Sequence, residues 1–255
     1  MRTSLIVLLA LVLAPAASAA GPWLGTAPSG LGAFTAAVHG AATTVGNGSS
    51  SVSVPGKWGL PRVTLNGTVG GLSANGRVLV LAESFEPTGE LRPSSSFTVL
   101  AANPLAVRTT VRLRGDFGFD ALSPDGRTLY LIQHVSSQSL FRYRVRAYDL
   151  AADRLLAQSI ADKRQRGWDM SGYPIARAAS RDGRWVYTLY SNAGGYPFVH
   201  ALDAVNRTAV CVGIPWNWRT DQAAIDNAAL RVDGGTLTIG SRFVLDRTTF
   251  KVRRL

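Results

Sequence analysis

Four times along this chain a short apolar strand runs into a polar turn that ends in glycine, and a second apolar strand follows. The clearest copy is Ala121-Leu122-Ser123-Pro124-Asp125-Gly126-Arg127-Thr128-Leu129-Tyr130-Leu131. Gly71-Leu72-Ser73-Ala74-Asn75-Gly76-Arg77-Val78-Leu79-Val80-Leu81 and Ala178-Ala179-Ser180-Arg181-Asp182-Gly183-Arg184-Trp185-Val186-Tyr187-Thr188 repeat it. Ala229-Leu230-Arg231-Val232-Asp233-Gly234-Gly235-Thr236-Leu237-Thr238 is the weakest copy. Asp-Gly suits a tight hairpin whose central residues need φ > 0, which glycine gives freely and aspartate tolerates.

The turn glycines are residues 76, 126, 183 and 234, so the copies lie 50, 57 and 51 residues apart. A period near 40–50 residues with several strands per repeat is the mark of a β-propeller. After each turn the pattern predicts a second strand at 78–83, 128–134, 185–191 and 236–241. Third strands are predicted at 96–101, 142–149, 198–203 and 243–246, and fourth strands at 107–113, 155–160, 209–214 and 250–254. β-Branched and aromatic residues dominate these runs, and no stretch keeps a 3.6-residue period. The expectation is an all-β propeller of four to five blades, each a four-stranded antiparallel sheet. Residues 62–255 carry the repeats, and 20–61 hold partial blade strands, either a fifth blade or a flap.

Ser-Pro-Asp-Gly-Arg-Thr-Leu-Tyr at 123–130, with its looser copies at 73–81 and 180–187, resembles the repeats of bacterial TolB-type and YVTN-type β-propellers, which are WD-like. The likeness covers about Arg62 to Leu255. It implies the fold and hardly any function, because such propellers include binding scaffolds, lactonases and dehydrogenases. None of their catalytic signatures maps onto numbered positions here.

The first residues read as a secretory signal peptide, 1–19: a basic start, an apolar run from Leu5 to Ala14, then Ala17-Ser18-Ala19. The run is too short to span a bilayer, and the mature chain holds no membrane span. An extracytoplasmic protein is expected. The net charge is +11, yet only three basic residues are lysines, as in proteins of GC-rich genomes. Weak polyanion binding is therefore the most that charge suggests. Arg142, Arg144 and Arg146 alternate on one strand face as a solvated surface, without the interleaved aromatics that nucleic acid needs. Asp162-Lys163-Arg164-Gln165-Arg166 reads as an exposed loop. Cys211 is the only cysteine, so no internal disulfide forms, and it reads as a small apolar packing residue.

Loops between second and third strands, and between blades, share one face of a propeller, and the Asp-Gly hairpins occupy the other. Segments 84–95, 135–140, 192–197, 57–61, 163–173 and 215–226 thus fall on a loop face, where a site is expected. They carry Trp58, Trp168, Trp216 and Trp218. These either seal the seams between blades or stack on a flat ligand such as a sugar. Trp168, Trp216, Trp218 and Arg219 are the ligand-binding candidates. Glu83 and His134, at corresponding strand ends, are weak candidates for an acid/base pair. The three histidines, His39, His134 and His200, have no ligand spacing, so neither a metal nor another cofactor is expected. No P-loop, dinucleotide fingerprint, G-x-S-x-G or H-E-x-x-H occurs. The leading expectation is a non-enzymatic binding module at the cell envelope, with a protein or glycan partner on the loop face. The alternative is a metal-dependent, lactonase-like hydrolase around Glu83 and His134.

Overall fold

The structure, a computed structural model, describes residues 26–27, 30–85, 89–139, 141–162, 169–191, 195–217 and 219–255. The expected signal peptide lies outside the described residues. Apart from β1 (Thr26–Ala27), the N-terminal segment makes a three-stranded meander of β2 (Thr35–His39), β3 (Ala42–Gly46) and β4 (Ser51–Pro55). Blade 1 follows with β5 (Trp58–Pro61), β6 (Val78–Glu83), β7 (Ser94–Ala102) and β8 (Leu105–Arg114), and β1 pairs on the far side of β5. Blade 2 is β9 (Phe117–Leu122), β10 (Thr128–His134), β11 (Arg142–Asp149) and β12 (Arg154–Ile160). A two-residue strand, β13 (Met170–Ser171), also pairs with β11. Blade 3 is β14 (Tyr173–Ala179), β15 (Trp185–Ser191), β16 (Phe198–Asp203) and β17 (Thr208–Gly213). After one short helix, α1 (Gln222–Asp226), blade 4 closes the chain with β18 (Leu230–Asp233), β19 (Thr236–Ile239), β20 (Phe243–Asp246) and β21 (Val252–Arg254).

The fold is a β-propeller with four four-stranded blades and a fifth, three-stranded one. Alternate residues along each strand go to opposite faces, so blades 1, 2 and 3 pack apolar side chains both ways. Leu60, Leu79, Leu81 and Leu100 of blade 1 meet Val45 and Val54 of the meander. Val80, Phe97 and Val99 meet Phe117, Leu129 and Leu131 of blade 2. Tyr130 and Val145 meet Val186 and Leu202 of blade 3. Tyr187, Leu189 and Val199 meet Leu237, Ile239 and Leu245 of blade 4. Blade 4 takes all its strands from the C-terminal repeat, while the N-terminal strand β1 joins blade 1. The inner strand of blade 1 starts at Trp58, four residues before the expected start of the repeats.

The hairpins correct one expectation. The turn aspartates do not take φ > 0; only the glycines do, at +69° for Gly76, +73° for Gly126 and +69° for Gly183. Side chains close the turn instead. Ser123 Oγ donates to Asp125 Oδ1 (2.6 Å) and accepts from Thr128 N (2.9 Å), and Arg127 N donates to Asp125 Oδ1 (3.0 Å). Ser73 with Asn75, and Ser180 with Asp182, repeat this scheme. The motif is thus Ser-x-Asp/Asn-Gly because serine and the acid or amide satisfy the backbone N–H groups beyond the glycine.

The hairpins of blades 1, 2 and 3 also meet one another at their end. Asn75 N donates to Pro124 O across blades (3.1 Å). A Cβ on Gly183 would overlap the Cβ of Ala74 in blade 1, so the hairpins of blades 1 and 3 touch across the axis.

Candidate functional site

First strands begin on the face opposite the hairpins. There the inner strand of blade 1 is interrupted. After β5 the chain leaves the sheet at Arg62 and rejoins it at Gly71, whose carbonyl accepts from Val80 N (2.7 Å). The insertion crosses to blade 3, where Leu65 N donates to Pro174 O (2.8 Å) and Asn66 N to Ile175 O (3.3 Å), capping the inner edge of β14. Gly67 (φ +91°) makes its turn, and Asn66 Oδ1 accepts from the Thr64 and Thr68 hydroxyls at 2.5 and 2.9 Å.

Above this insertion lies a cavity of about 510 Å³, lined by Leu65, Asn66, Tyr173, Ile175 and the stretch Asp226, Asn227, Ala228 and Ala229 that leads from α1 into β18. Gln222 Nε2 donates to Tyr173 Oη (3.3 Å), Ser191 Oγ (3.3 Å) and Asp226 Oδ1 (2.7 Å), which ties blade 3 to α1 at the rim. Leu65 is 52% exposed at the floor. The Tyr173 ring sits 6.0 Å from Phe141, which is 40% exposed. The mouth therefore joins an aromatic edge and an apolar floor to amide and carboxylate groups, a combination that takes a ligand with one apolar face and several hydroxyl or amide groups.

Trp216 corrects the stacking-platform expectation. It is 2% exposed, set edge-on to Phe243 (5.2 Å, 78°) and packed on Gly240 in the blade 3–4 core, so it offers no open face. Trp58 is buried against Gly56. Both are seam residues, because the connections that carry them dip into the blade interface. Arg219 is exposed, with its backbone N on Asn217 Oδ1 (3.1 Å). Trp168 and Trp218 lie outside the described residues. Asp162, expected in an exposed loop, is buried and accepts from Cys211 N (2.9 Å).

Glu83 and His134 join one electrostatic cluster, through residues that sequence reading missed. Arg92 forks onto Asp116 Oδ1 with Nε at 3.0 Å and Nη2 at 2.7 Å, and donates to Phe117 O. Its guanidinium lies 4.1 Å from the Phe85 ring centroid. His134 Nδ1 is 3.2 Å from the same Asp116 oxygen. Burial lowers the Arg92 pKa, opposed by the Asp116 and Glu83 charges. Burial pushes the Asp116 carboxyl up, but hydrogen bonds and charge from His134 and Arg92 outweigh it and hold it below the ordinary value of 3.8. Glu83 acts on this cluster through Arg92, so it and His134 share a neighbourhood through two intermediaries rather than a direct contact. Among the described residues no three His, Cys, Asp or Glu side chains are grouped to hold a metal.

The solvated arginine face is partly paired. Asp169 takes Arg142 Nη2 (2.9 Å) and Arg144 Nε (2.5 Å), and Arg146 Nη1 donates to Gln133 Oε1 (2.6 Å). Among the described residues no helix is long and apolar enough to cross a membrane.

No family model and no curated protein matches this sequence. Solved structures do. An oligogalacturonate lyase in complex with manganese superposes with a TM-score of 0.50 at 10% identity, over 87% of this chain and 61% of that one. The hydrazine synthase of Kuenenia stuttgartiensis matches with a TM-score of 0.42 at 18% identity, over 72% of this chain and 47% of that one. A putative TolB from Agrobacterium tumefaciens gives a TM-score of 0.40 at 12% identity, over 88% of this chain and 76% of that one. The chain spans about half of the hydrazine synthase chain or less than a third of others, such as puromycin hydrolase, of which it covers 28%. At such identities a likeness speaks for the fold alone. Together with the five sheets and the Ser-x-Asp-Gly turns, the superposition on the oligogalacturonate lyase makes the fold of this chain a β-propeller.

Proposed function

We propose that this protein is an extracytoplasmic binding propeller at the cell envelope, and that it takes a glycan at the channel mouth on its loop face. The observation that carries the reading is the cavity of about 510 Å³ where the insertion of blade 1, the start of blade 3 and the approach to blade 4 come together, within the range of small-ligand sites. Tyr173 supplies a ring edge, Leu65 an apolar floor, and Asn66, Asp226 and Asn227 supply polar groups, which suits a sugar better than a flat protein surface.

The test is a glycan array probed with the secreted protein beside its Tyr173→Ala variant. Binding by the wild type that drops at least about tenfold in the variant supports the reading, since buried aromatic anchors carry most of the energy of such sites. An array silent for both, or binding that Tyr173→Ala leaves unchanged, sinks it. The alternative hydrolase around Glu83 and His134 would need Asp116 and Arg92, which hold one another and His134, to release them for a metal.

A further inference from the structure

The seam between blades 2 and 3 carries a polar row inside an apolar contact. Arg177, Thr188, His200 and Cys211 stand in register on β14, β15, β16 and β17, and so share one face of blade 3. The inner pair is saturated. Arg177 holds Asp120 of blade 2 and donates to Thr188 Oγ1 (3.0 Å). The outer pair has a different chemistry. His200 Nδ1 lies 3.5 Å from Cys211 Sγ, and Cys211 Sγ lies 3.8 Å from Met170 Sδ.

Met170 arrives on β13, a strand of two residues paired to Arg142 and Tyr143 of β11. It is the only methionine after Met1, and Cys211 is the only cysteine, yet the two are in contact. Among the described residues His200 Nε2 has no hydrogen-bond partner, and Nδ1 faces the sulfur.

We propose that His200, Cys211 and Met170 form a binding site for one copper(I) ion. A thiolate, a thioether and an imidazole are the soft set that selects this ion over hard cations. The spacing also fits. Metal–ligand lengths of about 2.0 Å to nitrogen and about 2.3 Å to sulfur, at angles between tetrahedral and trigonal, put N and S about 3.5–3.7 Å apart and two sulfurs about 3.8–4.0 Å apart. The observed 3.5 and 3.8 Å match these two separations. On loading, the Cys211 thiol gives its proton to solvent and the sulfur bonds the ion, with no electron transferred. Thiolate and copper(I) together are neutral, so the site adds no net charge to a seam where His200 is 2% and Met170 3% exposed. A zinc ion there would leave one positive charge over. Asp162 fixes the Cys211 backbone through its N–H (2.9 Å), as outer-shell partners of metal ligands do. Cys211 is half-buried, which leaves the ion a way in.

The full chain, reduced and kept anaerobic, is titrated with copper(I) against the chromophoric chelator bicinchoninate. The expected result is one copper(I) per chain, an ultraviolet thiolate-to-copper band, and X-ray absorption showing nitrogen and sulfur neighbours. Cys211→Ser should abolish the band and the retained copper. Met170→Leu nearly conserves volume and keeps the fold, so an unchanged melting temperature with affinity at least about tenfold weaker separates ligation from packing. Copper held equally by Cys211→Ser, no copper held against the chelator, or zinc(II) held in preference to copper(I) each overturns the proposal.

Discussion

At the hairpin end of the propeller three turns repeat one hydrogen-bond scheme, whereas at the loop end each blade contributes through a different kind of segment. Ser73, Ser123 and Ser180 each accept from the backbone N–H five residues on, at 3.0, 2.9 and 2.9 Å. The mouth instead draws Asn66 from an insertion in blade 1, Tyr173 from the start of blade 3 and Asp226 from a helix before blade 4. At the repeated end blades 1, 2 and 3 build their turns with the same local chemistry. The varied end is where the blades diverge, and a propeller can alter it without disturbing its seams.

The sharpest way to break this contrast is at the point of closure. Gly183 has φ +69° and faces Ala74 and Pro124 across the axis. Gly76 has the same φ of +69°, but a Cβ added there would meet nothing within 4 Å. A left-handed alanine costs about 1–2 kcal/mol at either position, and only Gly183→Ala adds roughly 1–3 kcal/mol of overpacking. Urea unfolding of the two variants should therefore differ by about 2 kcal/mol. Equal midpoints would mean that the hairpins do not meet at the axis.

The same contrast explains what could be read in the sequence. The hairpins were legible because Ser-x-Asp-Gly is a complete local instruction. The serine, the acid and the glycine all act within five residues, and strands such as 128–134, 142–149 and 198–203 follow directly from them. The mouth was not legible. Asn66-Gly67-Thr68 looks like an ordinary turn, and nothing local says that Leu65 and Asn66 cap a strand that lies over a hundred residues later. The tryptophans misled for a related reason. A large ring in a loop can face water or the neighbouring blade, and for Trp216 the choice was made by Phe243 and Gly240 in the next repeat. Arg92 and Asp116 escaped because their pairing joins loops of two blades, while Glu83 and His134 stand at corresponding strand ends.

Acid should act unequally on the two ends. Asp116 on the loop side is buried and held below 3.8 by His134 and Arg92, once they outweigh its burial. The unfolded chain takes up that proton first as pH falls, so this contribution is present above about pH 4 and is lost as pH drops through the folded value. Asp116→Asn removes the proton uptake, and its stability curve below pH 4 should be shallower than that of the wild type. Asp125 and Asp182 are also lowered, chiefly by their serines, but they sit near solvent, so screening leaves them a smaller share. Parallel acid-unfolding curves for Asp116→Asn and the wild type would place the acid lability elsewhere.

The smallest effect tests whether the closure depends on the motif or merely on a hairpin. The fourth turn has Arg231 where the others have serine, and it is a tight two-residue loop, with Asp233 paired directly to Thr236 across Gly234-Gly235. Its Asp233 side chain is 71% exposed, with Arg231 at 4.0 Å. In blade 2, Ser123→Ala strips a buried acceptor from Thr128 N and Arg127 N and a donor from Asp125, and should cost about 1 kcal/mol. Asp233→Ala removes no such bond and should stay within about 0.5 kcal/mol of the wild type, as exposed substitutions do. Urea midpoints of the two variants decide it. If Asp233→Ala costs as much as Ser123→Ala, the fourth hairpin depends on its acid as the others do, and the side-chain closure is not what distinguishes the first three blades from the last.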